Sequence, residues 1–250
     1  MIGSSRTDLP VPARYELPLI DSRRESPTAM TFRFSTEGTG FRYLSQQFVR
    51  LNLPKVEDPW GPARSFSLSS SPSEPNHLAV TCRISETPFK QALSVMKPGD
   101  TAVVYGPLGS FLFDRTRPAV FLAGGIGITP LRGMIRFAHD TSFPNPMVLL
   151  YSARTPEELV FRAELDSLAG SGGRLNVQYS VSRPRASNGT WDGRIGRIDG
   201  GWVHEAARGL HQPKYYVCGL PEMVRQLVET LLGPLGVRED DVDYEVFRGF

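Results

Sequence analysis

A glycine-rich turn lies between an apolar run and a helical pattern in the middle of the chain. The run at 119–123 is typical of a buried strand, and residues 130–139 have the spacing of a helix. Between them lie three glycines, Gly124, Gly125 and Gly127. Such a turn can bind pyrophosphate, because glycines let the backbone approach the anion and the first helical turn offers free N–H groups. Thr129 suits the N-cap and Pro130 the first helical position, but the motif alone leaves both nucleotide binding and simple packing open.

A cation and an aromatic ring lie two residues apart in Arg64-Ser65-Phe66-Ser67. In an extended chain Arg64 and Phe66 share one face, so a guanidinium for phosphate and a ring for stacking point the same way. A bare serine-rich stretch would be a solvated loop. The arginine and the ring at the head of an apparent strand instead indicate a ligand site.

Polar residues follow two further predicted strands. Ser152 and Arg154 lie at the end of the apolar run 147–151. More arginines come after the next run and beyond it, at Arg183, Arg194 and Arg197. In nucleotide-binding α/β sheets an acid at such a strand end favours NAD, and an arginine favours the 2′-phosphate of NADP. No acid follows Arg154 until Glu157. Each arginine alone would be an ordinary surface residue, but the cluster favours NADPH, with NADH as the alternative.

Composition excludes several classes of site and partner. The chain has 250 residues, and 28 basic side chains against 26 acidic ones leave a net charge of +2, too small to indicate nucleic acid or an anionic membrane. Two cysteines are too few for a four-cysteine iron–sulfur or zinc site, and the four histidines lack ligand spacing, so no metal is expected. The N-terminus does not have the pattern of a signal peptide, and the apolar stretch 118–131 is too short for a membrane span, so a cytoplasmic protein is expected.

The spacing of apolar residues differs between the two halves of the sequence. Residues 14–113 alternate in short runs broken by Pro, Gly and Ser, with one short helix at 89–96, which predicts an antiparallel β-barrel. After residue 117, apolar runs alternate with helical segments, which predicts a Rossmann-like α/β domain with a parallel sheet. The predicted helices are 130–139, 156–168, 202–208 and 221–232, and the last strand is 242–247. We therefore expect two domains, at 1–116 and 117–250.

Five motifs in order resemble the ferredoxin–NADP reductase family. They are Arg64-Ser65-Phe66-Ser67, 106–111, 124–130, 218–221 and Glu245-Val246-Phe247. The resemblance extends from about residue 14 to the C-terminus. It implies a barrel that binds FAD, followed by a domain that binds a nicotinamide dinucleotide.

The resemblance also implies roles for individual residues of the first half. Arg64 would contact the flavin pyrophosphate, Phe66 would stack on the flavin, and Ser67 would lie beside its reactive N5. Ser65 and Arg83 are assigned to cofactor binding as well.

In the second half, Cys218 would face the nicotinamide during hydride transfer. It is not expected to act as a nucleophile, because no motif places a histidine to activate it. Glu245 would be a polar group near the nicotinamide site, and an aromatic residue would cover the flavin. Since the chain continues past Phe247, either Phe247 or Phe250 could be that residue.

Lys90 departs from the family pattern. Relatives often carry a small residue or serine three positions before a leucine, at the start of the short barrel helix, to hold the flavin phosphates. Counting back from Leu93 gives Lys90, which could neutralise phosphate as a charge or could be a solvated lysine. This departure keeps FMN as an alternative to FAD.

The expected activity is that of an oxidoreductase that takes hydride from NAD(P)H and delivers single electrons to an acceptor. Ferredoxin or flavodoxin is the acceptor that the resemblance implies, and a small molecule is also possible. The alternatives are a reductase component of an oxygenase, a flavin or ferric reductase, and a non-catalytic flavin- and nucleotide-binding subunit of an electron-transfer assembly. Loss of the flavin site is a further alternative, against which the intact motif at 64–67 argues.

Overall fold

The computed structural model of the chain describes residues 10–109, 112–172, 174–184 and 191–247. The strands are β1 Ala13–Ser26, β2 Ala29–Ser35, β3 Phe48–Asn52, β4 Ala63–Ser67, β5 His77–Arg83, β6 Thr101–Leu108, β7 Ala119–Gly124, β8 Met147–Ala153, β9 Leu175–Val181, β10 Arg194–Ile195, β11 Lys214–Gly219 and β12 Val242–Val246. The helices are α1 Pro88–Ser94, α2 Ile128–Asp140, α3 Arg162–Gly170, α4 Gly200–Ala206 and α5 Pro221–Leu232.

The first six strands form an antiparallel sheet in the order β4-β3-β6-β1-β2-β5. Its two edge strands meet through an antiparallel bridge between Leu68 and Val80 and a hydrogen bond from Ser69 N–H to the Ala79 carbonyl at 2.9 Å. This contact closes the sheet into a barrel, whose interior holds buried side chains such as Phe32. The predicted antiparallel barrel is confirmed.

The second six strands form a parallel sheet in the order β10-β9-β8-β7-β11-β12. The chain passes from β7 outward to β8 and β9 and later returns to place β11 on the other side of β7. Ligands of open α/β sheets bind outside the carboxyl ends of the strands at such a reversal of strand order. The fold therefore places a ligand site between the ends of β7 and β11.

Helices cover both faces of this sheet because its strands are apolar on both sides. Phe121 of β7 packs in one core cluster with residues of α2 and α3. Leu122, the next residue, packs in another cluster with residues of α4 and α5. The predicted parallel α/β unit is confirmed.

Four of the five predicted helix starts differ from the structure. For two of them the difference is a shift alone, since α1 begins at Pro88 instead of 89 and α4 at Gly200 instead of 202. The other two depend on the turn that precedes the helix. A 3₁₀ turn at Gly125–Gly127 runs directly into α2, so the helix begins at Ile128 and Gly127 takes the cap position that was expected for Thr129. The helix predicted over 156–168 is a 3₁₀ turn, Pro156–Glu158, followed by α3 from Arg162. Phe161 separates the two with a left-handed backbone, φ 64°, which a continuous right-handed helix does not accommodate.

The division at residues 116 and 117 stays a prediction. It falls in the connection between β6, which ends at Leu108, and β7, which begins at Ala119. No helix in the described residues combines the length and the apolar character that a membrane crossing requires.

Candidate functional site

A cleft of about 810 Å³ lies between the barrel and the parallel sheet, and we call it the central cleft. The barrel lines it with residues of β3, β4, β5 and α1, and the second half lines it with residues of α2 and β12 and the segments next to them. Its volume is in the usual range for a cofactor site. Nine of the site residues predicted from the sequence line this cleft: Arg64, Ser65, Phe66, Ser67, Arg83, Lys90, Thr129, Glu245 and Phe247.

Arg64 is buried and held by the loop that precedes β4. Its Nη2 donates to Asp58 Oδ1 at 2.6 Å, and its Nη1 donates to the Gly61 carbonyl at 2.7 Å. The Nε–H is buried and has no hydrogen-bond partner within the described chain. Since a buried guanidinium N–H without a partner is costly, Arg64 is suited to donate to an anionic group in the cleft.

Asp58 ties this loop to the short barrel helix. One carboxylate oxygen accepts from Trp60 N–H at 2.8 Å, and the other accepts from Phe89 N–H, in the first turn of α1, at 3.0 Å. Burial acts to raise the pKa of Asp58, but these two hydrogen bonds and Arg64 outweigh it and hold the pKa below its usual value. Asp58 was not predicted from the sequence, although an acid six residues before the arginine, in a loop that contains proline and glycine, was a usable signal.

Lys90 is a buried lysine, so the solvated alternative is wrong. Pro88 begins α1, and Thr87 caps it by accepting the Lys90 N–H at 3.4 Å, which directs the lysine side chain inward from the first turn. The ammonium lies 4.4 Å from the centre of the Phe66 ring, and Phe66 stacks on Phe89 with 6.1 Å between ring centres. Burial lowers the pKa of Lys90, although its contact with Cys82 opposes the shift.

Ser67 and Glu245 join the two halves inside the cleft. The Ser67 hydroxyl donates to Glu245 Oε1 at 2.6 Å, and Glu245 Oε2 is buried without a partner in the described residues. Burial raises the pKa of Glu245, and the bond from Ser67 only partly offsets this effect. The structure therefore brings together the two polar residues that the resemblance assigned to the reaction.

Cys218 lies beside Glu245 in the parallel pairing of β11 with β12. It is fully buried, and burial together with the neighbouring carboxylate raises the pKa of its thiol well above the usual value. A neutral thiol is a poor nucleophile. Cys218 does not line the central cleft, and the position expected for it, facing the nicotinamide, stays a prediction.

The glycine-rich turn touches the end of β11 backbone to backbone. A Cβ on Gly127 would lie 2.7 Å from Gly219 N and would also overlap the Cys218 carbonyl group. Gly125 has φ +53°, and a Cβ there would lie 2.8 Å from Arg83 Nη2. A Cβ on Gly124 would overlap the sulfur of the Met223 side chain more closely still. Glycine is thus required at Gly127, where the overlap is with backbone atoms, and the turn contributes Ile126 to the lining of the cleft.

The polar residues after β8 and β9 meet at the carboxyl edge of the sheet. Arg183 N–H donates to the Arg154 carbonyl at 2.8 Å, and Ser152 Oγ donates to the Gly196 carbonyl at 3.4 Å. Arg154 also pairs with Glu158, an acid that the sequence analysis overlooked. Its position four residues after Arg154, the spacing of one helical turn, was the available signal.

Of the two aromatic residues that could cover the flavin, the structure describes only Phe247. Phe247 N–H donates to the Gly219 carbonyl at 2.9 Å, and its side chain lines the cleft. Phe250 lies outside the described residues. The choice between them stays a prediction.

The chain's residues fit a flavin dinucleotide. The unpartnered Arg64 Nε and the buried Lys90 offer cationic groups to phosphate, and the cleft borders the Phe66 ring. At the other wall, Ile126 of the glycine-rich turn and Thr129 in the first turn of α2 line the cleft. Within the described residues no cluster of His, Cys, Asp and Glu side chains could hold a metal ion.

Comparison with known proteins gives the same picture. The family model for the oxidoreductase NAD-binding domain matches residues 121–229. Ferredoxin–NADP reductase B of Sorangium cellulosum is 33% identical over 243 residues, which cover 92% of this chain and 96% of that protein. The stachydrine N-demethylase reductase subunit of Rhizobium meliloti is 28% identical, and the match covers 84% of this chain but only 60% of that longer protein.

A solved structure agrees in fold. A ferredoxin NADP⁺ reductase from Neisseria gonorrhoeae, with bound FAD and NADP, superposes with a TM-score of 0.76 at 22% identity, covering 95% of this chain and 99% of that one. Together the comparisons confirm the predicted NAD(P)H-dependent flavoprotein reductase, with FAD and a nicotinamide nucleotide as its cofactors. Identity above 30% along nearly the whole length of both proteins leads to one conclusion: the chain belongs to the ferredoxin–NADP reductase family.

Proposed function

We propose that this chain oxidises NADPH in preference to NADH and delivers single electrons to ferredoxin or flavodoxin. The observation that carries the proposal is the Ser67–Glu245 hydrogen bond beside Cys218, at the point where the barrel meets the carboxyl ends of β7 and β11. When bound there, FAD accepts two electrons as hydride and releases them one at a time.

The chain's own residues supply binding and orientation. Arg64 and Lys90 neutralise phosphate on the barrel side, and the N–H groups of the glycine-rich turn bind phosphate on the other side. Phe66 bounds the cleft with its ring, and Phe247 closes it at the sheet edge. Because Phe247 lines the cleft, we assign it, and not Phe250, the role of covering the flavin. A ring in that position has to move before a nicotinamide can stack on the flavin.

Ser67 and Glu245 would line the point of hydride transfer, with Cys218 beside Glu245 in the neighbouring strand. Ser67 orients the Glu245 carboxyl through its hydroxyl, and the raised pKa of Glu245 lets this group hold a proton more readily than a solvated carboxyl. Cys218 is fully buried behind Glu245 in the neighbouring strand and does not itself line the cleft, so its role is to support the position of Glu245. These roles are electrostatic and steric, because the cofactors carry the redox chemistry.

The preference for NADPH is supported by the arginines at the sheet edge. Arg154 and Arg183 follow neighbouring strands and are bonded through their backbones, so both side chains start from the edge where the adenosine ribose binds in such folds. Arg194 is directed elsewhere, since its guanidinium lies 4.6 Å from the centre of the Trp202 ring.

Stopped-flow reduction of the flavin tests the proposal. We expect NADPH to bleach the flavin absorbance faster than NADH at equal concentration, and the reduced protein then to reduce ferredoxin or flavodoxin under anaerobic conditions. Reduction by neither nucleotide would refute the proposal, and efficient reduction of free flavin or ferric complexes alone would reassign the acceptor.

A reductase component of an oxygenase is the second candidate. The relative from Rhizobium meliloti, the reductase subunit of a demethylase, favours it, and this chain spans about three fifths of that protein.

We also propose the cytoplasm as the compartment, because both cysteines, Cys82 and Cys218, are free in the described chain. The proposed unit boundaries remain 1–116 for the flavin-binding barrel and 117–250 for the nucleotide-binding unit.

A further inference from the structure

The Glu158 carboxylate lies between two guanidinium groups, one from each half of the molecule. Arg154 donates to it three times, from Nε at 3.0 and 3.1 Å and from Nη2 at 2.8 Å. Arg83, at the end of β5 in the barrel, places Nη2 3.7 Å from the same carboxylate. The Glu158 side chain is only 13% exposed, whereas that of Arg154 is 49% exposed.

This carboxylate stands at the edge where the adenosine ribose of a nicotinamide nucleotide would bind. Arg154 directly follows β8, and its carbonyl is bonded to Arg183 after β9. Arg83 reaches the glycine-rich turn, because a Cβ on Gly125 would lie 2.8 Å from its Nη2. Glu158 therefore occupies the space between the phosphate-binding turn and the end of β8.

The pairing makes Arg154 less available to a phosphate. An arginine recognises phosphate through a bidentate fork of N–H donors, and the Nε and Nη2 donors of Arg154 are already used by Glu158. A 2′-phosphate has to displace a carboxylate that Arg83 holds from its other side. A ribose 2′-hydroxyl, in contrast, can donate to a carboxylate at this position, which is how acidic residues favour NAD in related folds.

We propose that Glu158 is a specificity-determining residue that limits discrimination in favour of NADPH by neutralising Arg154. The inference rests on the proposed placement of the nucleotide at this edge of the sheet. Specificity is the difference between two binding free energies, so the same carboxylate lowers the affinity for the 2′-phosphate and maintains the affinity for the 2′-hydroxyl.

Substitution of Glu158→Gln tests the inference, since it removes the charge and keeps the shape. We expect the ratio of kcat/KM for NADPH to that for NADH to rise about 5- to 10-fold, the range expected when one partly buried charge pair is lost and one charge-assisted phosphate contact is strengthened. The change should lie in KM. Glu205→Gln, which removes an exposed carboxylate on α4, is the matched control and should leave the ratio unchanged.

Calorimetry with adenosine fragments gives a readout independent of turnover. Glu158→Gln should bind adenosine 2′,5′-bisphosphate about 5-fold more tightly and 5′-AMP no more tightly than the wild type. In the Glu158→Gln background, Arg154→Met should remove this gain, because the gain depends on the freed guanidinium. Glu158→Ala should change the ratio in the same direction as Glu158→Gln.

The outcomes separate this inference from the proposed function. An unchanged or lowered NADPH/NADH ratio in Glu158→Gln, with flavin reduction by NADPH intact, would overturn the inference and leave the proposed function standing. Absence of flavin reduction by either nucleotide in the wild type would instead overturn the proposed function.

Discussion

Glu245 is a buried acid whose ionised form is disfavoured by its surroundings, because burial raises its pKa and one carboxylate oxygen lacks a partner within the described chain. A group whose pKa is higher in the folded than in the unfolded state stabilises the protein at low pH. This contribution is lost as the pH rises through the folded-state pKa. The acid therefore lowers stability at neutral pH while serving the site.

Glu245→Gln should accordingly raise the midpoint of thermal unfolding of the flavin-loaded protein at pH 8. The gain should vanish near pH 4, close to the unfolded-state pKa of about 4.3, where the wild-type carboxyl is protonated in both states. Circular dichroism at the two pH values measures the difference. Glu222→Gln is the control, because Arg225 lowers the pKa of Glu222 and the substitution should bring no gain. A lower midpoint for Glu245→Gln at pH 8 would show that the carboxylate is stabilised when ionised.

At the scale of elements, the contact between the glycine-rich turn and β11 determines how the site is built. The clash that a Cβ on Gly127 would make is with backbone atoms of Cys218 and Gly219, which cannot rotate away. Gly170, the last residue of α3, has the opposite environment, since a Cβ there would meet nothing within 4 Å in the described residues.

We therefore expect Gly127→Ala to lower the free energy of unfolding by about 1–3 kcal/mol, the usual cost of forcing an extra methyl into a packed position. It should also weaken NADP⁺ binding, because the turn must move away from β11. Urea unfolding and nucleotide titration measure the two effects. Gly170→Ala should change stability by about 0.5 kcal/mol or less. Equal behaviour of the two variants would contradict the close approach.

Sequence patterns predicted the type of each element better than its ends. Apolar periodicity identified α5 as 221–232, because its capping proline and amphipathic face are local signals. It missed the start of α2 and the break at Phe161, which depend on how the preceding turn packs against other strands. The site residues could not be grouped from periodicity. Only the family resemblance predicted one site for Arg64, Ser67, Cys218 and Glu245, and neither signal predicted Asp58 or Glu158. Their partners are arginines, and a sequence of many arginines does not show which of them each carboxylate will contact.

At the scale of the whole molecule, α2 connects the parallel sheet to the barrel through hydrogen bonds and close packing. Arg132 donates to Glu74 in a barrel loop, to Glu164 in α3 and to the Ser69 carbonyl. On the next residue, a Cβ on Gly133 would lie 2.9 Å from the Ser70 carbonyl oxygen. The hydrogen bonds to Glu74 and Glu164 raise the pKa of Arg132 despite its burial, so it stays charged at every working pH.

Arg132→Met should lower the free energy of unfolding by about 3 kcal/mol, because removal of one partner from a largely buried ion pair leaves carboxylates uncompensated. Arg136→Met, one turn further along α2, removes a more exposed arginine that pairs with Asp140 and, at 3.8 Å, with Glu164, and it should cost about 0.5 kcal/mol or less. Chemical denaturation monitored by flavin fluorescence and by circular dichroism measures both. Similar losses in the two variants would show that Arg132 does not fasten the halves together.

The bond between Ser67 and Glu245 joins residues that lie 178 positions apart in the chain. A contact between such distant residues closes a long loop, and the entropy lost in closing that loop has to be offset by the folding of the segments between them. Neither half of the molecule can form this bond alone, because Ser67 belongs to the barrel and Glu245 to the edge strand of the parallel sheet. The hydroxyl and the acid therefore meet only when both halves have folded and packed together, so assembly of the site reports on the folding of the whole molecule.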